Sequence, residues 1–454
     1  METWAFDHVH RGDAQYEQIR RRCVWNGAVP PRFPEWIVFP EDSQQIRQIV
    51  LFAKWKKMRI GVKSGGHSWS AAFLQDGGIL IDMVKMKRFT YNTKARTAEV
   101  EPAVYASELN SALLDHKLMF PAGHCPTVGM GGFLLQGGLG WNAGNWGIAC
   151  ESILAMDLVT ADGEILHASS SQNSEYFWAA RGSGCGFFAV VTRFYVQLHP
   201  TPPGIMMTRH VFEIENLNEV LTAIDSVSAQ ASLDLEIGMF IAHDQDGFIG
   251  RPTLAISIYA FSKTEDEAKA ALEFIHNLAP FRKAIKFYGF VPCTLREMMQ
   301  RLAELLDNRG RHYHVDNMWT DAPVQSLLPS FHKIIKKLPP APSHLYMTWW
   351  PARSRPDMAY SIEGRLYVAM YAISSDPSTD TVYAKYVEES IQMMKQYEKG
   401  VQLGDENLPS HPGRFMSTEG YTRLEQLRKR LDPDVRFYSY MRVPDEFLGC
   451  KALI

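Results

Sequence analysis

The sequence lacks three features that would each have indicated a class of protein. Its 454 residues carry a net charge of only −3, which gives no electrostatic argument for binding nucleic acid or an anionic membrane. No apolar run reaches the ~18 residues of a membrane-spanning helix, and the first residues are charged where a signal peptide would be apolar. The six cysteines show no paired spacing, so no disulfide framework is indicated. We therefore expect a soluble cytoplasmic protein without nucleic-acid or membrane partners, and its oligomeric state is not readable.

Glycine, by contrast, is concentrated in one stretch. Residues 121–147 contain nine glycines among 27 residues. Glycine is unfavourable inside helices and strands, and it is favoured where the backbone adopts a positive φ or lies close to a ligand. We therefore expect this stretch to be a cofactor-binding loop without a helix. Cys125 stands near its start, and His67 stands in a second glycine-rich turn at 64–70.

A dinucleotide-binding fold explains this stretch poorly. Residues 138–143 match the letters of the G-x-G-x-x-A fingerprint. That fingerprint requires a strand before it and a helix after it. Gly144 and Gly147 interrupt the helix, so we expect instead a backbone that follows a long cofactor.

A metal site explains it no better. His124 and Cys125 with Cys150 or His167 would supply ligands, but their spacing matches no zinc pattern, and we predict no metal. Taken singly, Cys125 is equally consistent with a small buried side chain and His67 with a hydrogen-bonded turn histidine. Packing alone does not readily explain why Cys125 and His67 each stand inside a separate glycine-rich loop.

The order of predicted elements divides the chain near residue 204. A strand at 36–40, a helix at 43–57 and a strand at 59–63 form a β-α-β opening that leads into the turn at 64–70. The Thr-Pro-Pro-Gly run at 201–204 marks a boundary. Beyond it we predict a sheet covered by helices, with strands at 236–242, 252–261, 311–317, 345–350 and 364–373 and helices at 216–232, 263–278, 294–307, 324–337 and 379–399.

Two motifs carry a resemblance to a known family. Lys63-Ser-Gly-Gly-His67-Ser and Gly123-His-Cys125-Pro-Thr-Val-Gly-Met-Gly-Gly132 resemble the paired flavin motifs of the berberine-bridge-enzyme-like flavoproteins. These belong to the vanillyl-alcohol-oxidase superfamily with its PCMH-type FAD-binding domain. The resemblance extends to VWN at 24–26, FPEWIVFP at 33–40, RGSGCGFFAVVTRF at 181–194 and YTRLEQLRKRLDP at 421–433. It covers the first half almost continuously and the middle of the chain only loosely.

The resemblance implies an α+β fold in three segments. Residues 1–203 would form the PCMH-type FAD-binding domain, built from two α/β subdomains. Residues 204–408 would form a substrate-binding domain with an antiparallel sheet covered by helices. Residues 409–454 would return to the FAD domain.

The resemblance also implies FAD bound by two covalent bonds. His67 would bond the flavin 8α-methyl group and Cys125 would bond ring carbon 6. Val128 corresponds to a position where valine leaves dioxygen access to the flavin, which favours an oxidase. The remaining cofactor-binding residues implied are Ser64, Gly65, Gly66, Ser68, Gly129, Gly131, Gly132, Gly138, Trp141, Gly186, Val191 and Gln402.

The catalytic base cannot be transferred from the family. Many members carry a Y-x-N-Y-x-D run whose second tyrosine acts as the base, and here Leu403 stands in its place. Others use a glutamate or glutamine in an L-Y-x-x-E/Q-Y pattern, where this chain has Met370. Deprotonation still requires a base within hydrogen-bond reach, and we name three candidates, Tyr346, His314 and Asp405.

The function expected is that of an FAD-dependent oxidase. It would oxidise a small organic alcohol, or an amine, by hydride transfer to the flavin, with O2 reduced to H2O2. One alternative is a flavin dehydrogenase or an oxidative C–C bond-forming enzyme with poor O2 reactivity. Another is a flavin-binding protein without catalysis, which the missing bases suggest.

Overall fold

The computed structural model describes residues 4–305, 310–350 and 353–440. Helices and mostly antiparallel sheets make up these residues, which confirms the predicted α+β class. Within the same ranges, no helix is both long enough and apolar enough to cross a membrane. Residues 441–454, part of the predicted C-terminal segment, lie outside the described residues.

The first sheet holds the turn at 64–70 at its edge. The strands Trp36–Val38, Ile79–Asp82 and Ile60–Lys63 run parallel to one another. The helix Ser43–Lys56 begins after Asp42, whose carboxylate accepts a hydrogen bond from a backbone N–H of the first turn. Its predicted apolar face is buried, which confirms the β-α-β opening. The strands lie in the order His8–His10, Trp36–Val38, Ile79–Asp82 and Ile60–Lys63.

The second sheet is antiparallel and shares one hydrophobic core with the glycine-rich stretch. It ends in the hairpin predicted for residues 151–168, where Gly163 has a φ of +80°. Its strands lie in the order Phe89–Asn92, Thr97–Val100, Ala189–Gln197, Ile153–Thr160 and Ile165–Ser169.

The third sheet has eight strands and separates two environments. Along the strand Leu235–His243, residues 235, 237, 239 and 241 pack into a core under helices, while Glu236, Gly238 and Phe240 point to the opposite face. We call that opposite face the cofactor face, because it lies toward the two glycine-rich loops. The strands lie in the order Lys286–Phe287, Gly204–Glu213, Pro252–Ser262, Leu235–His243, His344–Trp349, Leu366–Ser374 and His312–Thr320, and Val291–Pro292 pairs with Gly204–Glu213.

Four helices cover the face of this large sheet that lies opposite the cofactor face, and the helix Leu295–Leu305 packs on part of the cofactor face, beside Ile205 and Phe261. The four that contribute to the core under the sheet are Leu217–Val227, Glu265–His276, Val324–Lys336 and Asp380–Gln392. The other helices of at least six residues in the described ranges are Tyr16–Arg22, Ser43–Lys56, Ala106–Leu113, Met130–Leu135, Ser174–Ala179, Leu295–Leu305 and Thr418–Leu431.

The five strands and five helices predicted beyond residue 204 are all present, displaced by a few residues at most ends. Residues 306 and 307 of the helix predicted at 294–307 lie outside the described residues. The strand Gly204–Glu213 was not predicted. It begins directly after the prolines of the 201–204 run, so the turn signal conceals the start of the strand.

The expectation that residues 121–147 contain no helix is wrong. Met130–Leu135 forms a short helix and Ala143–Trp146 forms a single turn. Glycine disfavours an isolated helix by about 1 kcal/mol relative to alanine. Here close packing compensates, because a Cβ on Gly131 would contact the Ser64 hydroxyl and one on Gly144 would contact the Leu233 backbone.

A buried group of charged side chains joins the large sheet to the segment after residue 395. His411 Nε2 lies 2.6 Å from Glu398 Oε2, and His411 Nδ1 lies 3.0 Å from Asp316 Oδ2. Lys395 also pairs with Glu398. Burial lowers the pKa of His411, but the contacts with Asp316 and Glu398 outweigh this and raise it to about 9. His411 is therefore charged in the folded protein at neutral pH.

This group predicts a pH-dependent contribution to stability. Because the pKa of His411 rises from 6.5 to about 9 on folding, the stabilisation is fully present below pH 6.5 and is lost as the pH rises through about 9. We expect His411→Gln to lower the free energy of unfolding by roughly 2–3 kcal/mol just below the unfolded pKa, and by much less above pH 9.

Chemical denaturation followed by tryptophan fluorescence at the two pH values measures the difference. His116→Gln is the control, because His116 is exposed. A His411→Gln deficit of the same size at both pH values would contradict the assignment.

Candidate active site

The two glycine-rich loops meet backbone to backbone. A Cβ on Gly65 would lie 2.5 Å from the backbone nitrogen of Gly129, and a Cβ on Gly129 would lie 2.7 Å from that of Gly65. Real side chains do not tolerate such distances, so only glycine fits at both positions. The turn after the first sheet and the stretch after residue 121 are therefore held in direct contact.

This contact brings His67 and Cys125 to one hydroxyl group. His67 Nε2 lies 3.0 Å from Thr127 Oγ1, and Cys125 Sγ lies 3.6 Å from the same oxygen. Trp25 stacks on the His67 ring at a centroid distance of 4.5 Å. Two side chains that are distant in sequence thus present a ring nitrogen and a sulfur to the same small region.

Burial sets the protonation of both groups. It lowers the pKa of His67 to about 3, so the imidazole is neutral and keeps a nitrogen lone pair at neutral pH. It raises the pKa of the Cys125 thiol, against hydrogen bonds at Thr127 that lower it. The imidazole is therefore ready to form a bond to carbon, while the thiol must first lose its proton.

Most of the other residues predicted to bind the cofactor surround these loops. Ser64 packs against Gly131, and the Ser68 hydroxyl accepts a hydrogen bond from a backbone N–H later in its turn. Val128 is partly exposed directly beyond Thr127. Gly66 and Gly132 belong to the same two loops, and the space around a Cβ on Gly132 is open.

The remaining predicted residues extend away from His67 and Cys125. Trp141 is buried, with its ring 4.1 Å from the ring of His124. Gln402 donates a hydrogen bond from Nε2 to the carbonyl of residue 136, over 2.9 Å. Gly138 lies in the same long stretch, Gly186 contacts the ring of residue 440, and Val191 is buried in the second sheet.

The Asp405 carboxylate accepts three hydrogen bonds beside the cofactor face. Trp69 Nε1 donates to its Oδ1 over 2.6 Å. The hydroxyls of Tyr367 and Tyr371 donate to its Oδ2 over 2.6 and 3.1 Å. Trp69 follows His67 by two residues, so this carboxylate joins the His67 loop, the large sheet and the segment after residue 400.

Burial and the nearby carboxylate hold both tyrosines protonated. Burial first, and Asp405 second, raise the pKa values of Tyr367 and Tyr371 well above the ordinary value of 10.0. Cys125 also contributes to the raised pKa of Tyr371, which places that phenol within electrostatic reach of the cysteine. In this arrangement the Tyr371 phenol is positioned to pass its proton to the Asp405 carboxylate.

The three candidate bases lie in different places. Tyr346 is on the cofactor face, with its ring 4.9 Å from that of Phe240, and burial raises its pKa. Asp405 is on the same side. His314 lies on the helix-covered face, where its Nε2 is 3.1 Å from Asp380 Oδ1. The structure does not bring His314 to the other two.

The large sheet also explains why the two usual base positions are apolar. Met370 points into the helix-covered core, so position 370 faces away from the loops whatever residue stands there. Tyr367 and Tyr371, three residues before it and one after, face the loops instead. Leu403 belongs to the core of the first two sheets, and a Cβ on Gly184 would contact its side chain.

Sequence reasoning missed three residues of this site. Thr127 carries no distinguishing signal, because isolated threonines are common. The alternation of the strand Leu366–Ser374 indicated that Tyr371 shares a face with Tyr367, but not which face. Glu406 is 1% exposed, accepts a hydrogen bond from Ser70 over 2.9 Å, and has its pKa raised by burial to about 8.

Removing the Asp405 carboxylate should destabilise the protein. Asp405→Leu leaves three donors without their acceptor. The donor on Tyr367 is buried, and those on Trp69 and Tyr371 are partly buried. We expect this variant to lower the free energy of unfolding by roughly 3–5 kcal/mol. Asp405→Asn keeps one acceptor oxygen, and we expect a loss of roughly 1–3 kcal/mol. Urea denaturation measures both, with Asp162→Asn on the exposed hairpin as control. A leucine variant as stable as the wild type would contradict the three-donor arrangement.

The chain is similar in sequence to known FAD-linked proteins. Residues 34–169 match the family model described as an FAD binding domain. Over 451 residues the chain is 30% identical to the FAD-linked oxidoreductase penO of Penicillium crustosum, covering 98% of this chain and 95% of that protein. Oxidoreductase chemistry with FAD is therefore common to this chain and its relatives.

Solved structures show the same fold. The 6-hydroxy-D-nicotine oxidase of Arthrobacter nicotinovorans aligns with a TM-score of 0.83 at 20% identity, over 96% of this chain and 97% of that one. A variant of berberine bridge enzyme in complex with (S)-reticuline aligns with a TM-score of 0.82 at 20% identity, over 96% of each chain. The predicted architecture, a PCMH-type FAD-binding part with a helix-covered antiparallel sheet, is confirmed.

Proposed function

The chain belongs to the berberine-bridge-enzyme-like FAD-linked oxidoreductases, and from this premise we propose that it is an oxidase with FAD attached covalently to both His67 and Cys125. The bonds proposed are from His67 to the flavin 8α-methyl group and from Cys125 to ring carbon 6. The proposed reaction converts a small organic alcohol, or an amine, to the carbonyl or imine while O2 becomes H2O2.

One observation carries this proposal. His67 Nε2 and Cys125 Sγ lie 3.0 and 3.6 Å from the same Thr127 hydroxyl. A ligand bonded to one of them is therefore close to the other. Around them, glycine backbones offer N–H groups without side chains in the way, as a pyrophosphate requires. The residues present fit a flavin dinucleotide.

The bound FAD would accept two electrons from the substrate as a hydride and pass them to dioxygen. The chain supports this by holding the cofactor at two points and by excluding bulk water with aromatic side chains. Val128, small and partly exposed beside the Cys125 loop, supports access of dioxygen. This favours an oxidase over a dehydrogenase.

Tyr371 and Asp405 would remove the substrate proton together. The Tyr371 phenol is protonated and donates to Asp405 over 3.1 Å. As the phenol oxygen accepts the proton of a substrate hydroxyl or amine, its own proton moves to the carboxylate. Tyr346 makes no hydrogen bond to a carboxylate among the described residues, although burial first, and then Glu236 and Asp405 from further away, raise its pKa, and it would instead form part of the substrate wall.

Covalent attachment predicts that the yellow flavin colour stays with the protein when it is denatured. Purified protein should be yellow, and acid precipitation should leave the flavin in the pellet. His67→Ala and Cys125→Ala should each retain a singly attached flavin with a shifted absorption spectrum, and the double variant should release it. His116→Ala and Cys293→Ala, outside the two loops, are the matched controls. A yellow supernatant from the wild type would overturn the covalent claim.

The proton relay predicts a specific kinetic defect. A peroxide-release screen of alcohols and amines identifies a substrate, and anaerobic flavin bleaching then measures the chemical step. We expect Tyr371→Phe to slow that step by roughly 10²- to 10⁴-fold. Tyr288→Phe is the matched control, because Tyr288 also donates to an aspartate, over 2.8 Å, but at the far edge of the sheet. Bleaching by Tyr371→Phe at the wild-type rate would eliminate the relay. Reoxidation in air that takes minutes would instead indicate a dehydrogenase.

A further inference from the structure

A second carboxylate faces the flavin-attachment loops, and the relay does not use it. Glu236 lies on the strand Leu235–His243, between two residues that point into the helix-covered core, so its own side chain points to the cofactor face. Its Oε1 is paired with Nε2 of His124. His124 immediately precedes Cys125, so this pair stands at the end of the site where the cysteine is.

The other oxygen of this carboxylate is buried without a donor. Among the described residues, no backbone or side-chain group donates a hydrogen bond to Glu236 Oε2. A buried acceptor left unpaired costs about 1–3 kcal/mol. Glu236 also lines a small gap between the glycine-rich stretch and the sheet, together with Asn142, Gly144 and Thr348. The unpaired oxygen is therefore available to accept a hydrogen bond from a bound molecule.

The floor between Glu236 and the relay is long and largely aromatic. Tyr371 pairs in register with His344, which pairs with Ala242 on the strand that carries Glu236. Ala242 lies six positions after Glu236 on that strand, or roughly 20 Å at 3.3 Å per residue. Gly238, Phe240 and Tyr346 cover this interval, and a Cβ on Gly238 would meet nothing closer than 3.6 Å.

We propose that Glu236 accepts a hydrogen bond from a hydroxyl or ammonium group at the far end of an elongated, otherwise apolar substrate whose oxidised carbon lies beside Tyr371. The inference rests on the proposed function, because it names the substrate class of the same site. His124 holds the carboxylate in place through Oε1 and leaves Oε2 for the substrate. Glu236 is then a specificity-determining residue, and a molecule without the second donor leaves the buried oxygen unpaired.

The test uses matched probes on the holoenzyme. Medium-chain primary alcohols, from octanol to dodecanol, are each compared with their terminal diol and their terminal amino alcohol. Binding is followed by perturbation of the flavin absorption, which requires no turnover. We expect the diol or the amino alcohol to bind roughly ten- to a hundredfold more tightly than the simple alcohol. Preference for the diol identifies a hydroxyl donor, and preference for the amino alcohol identifies an ammonium donor.

Variants connect that preference to Glu236. Glu236→Gln should abolish it, and Glu273→Gln, on the solvent-exposed side of the helix Glu265–His276, should retain it. Equal binding of all three probe classes by the wild type, or no spectral change with any of them, overturns the proposal. A preference for the diol or the amino alcohol that survives in Glu236→Gln also overturns the proposal. Attachment and reduction of the flavin are measured separately, so failure of the probe experiment alone leaves the proposed oxidase intact. A flavin that is absent or not attached covalently would instead contradict the proposed function itself.

Thermal stability separates binding from a purely structural pair. Glu236→Leu removes the unpaired oxygen, and the His124 side chain, 34% exposed, can hydrogen-bond to water instead. We expect this variant to melt at or above the wild-type temperature while it loses the donor preference. A clear fall in melting temperature would mean that the His124–Glu236 pair serves the fold, and would overturn the proposal.

Discussion

The backbones of Gly65 and Gly129 pack directly against each other, and the arrangement of the site depends on that contact. It places the turn after a parallel strand beside a stretch of chain some sixty residues later. Thr127 then lies between His67 and Cys125. A Cβ at either glycine would overlap the backbone of the other loop, so any side chain there would push the loops apart and disturb the hydroxyl contact that the histidine and cysteine share.

Asp405 adds a second link between the parts of the molecule. By accepting hydrogen bonds from Trp69, Tyr367 and Tyr371, it fixes the large sheet relative to the His67 loop. The phenols it holds remain protonated because they are buried beside a carboxylate. The same geometry positions the loop and, in the proposed reaction, would supply a route for the substrate proton although positions 370 and 403 are apolar.

The sequence predicted most of the fold because its patterns are local. The face formed by Ile46, Ile49, Val50 and Ala53 identified a helix, and glycine density identified the loops that hold His67 and Cys125. It could not predict which face of a strand meets the cofactor, because alternation is symmetric; hence Tyr371 was overlooked and His314 was proposed. It also could not predict that Gly131 and Gly144 pack closely enough to allow helices, since that depends on residues distant in sequence.

In the proposed holoenzyme, one FAD joins two distant parts of the chain. Proteolysis of the denatured holoenzyme followed by mass spectrometry tests this directly. We expect a single species in which the peptide containing His67 and the peptide containing Cys125 are linked through one FAD. Recovery of both peptides free of flavin, or of flavin on only one of them, would contradict the proposal.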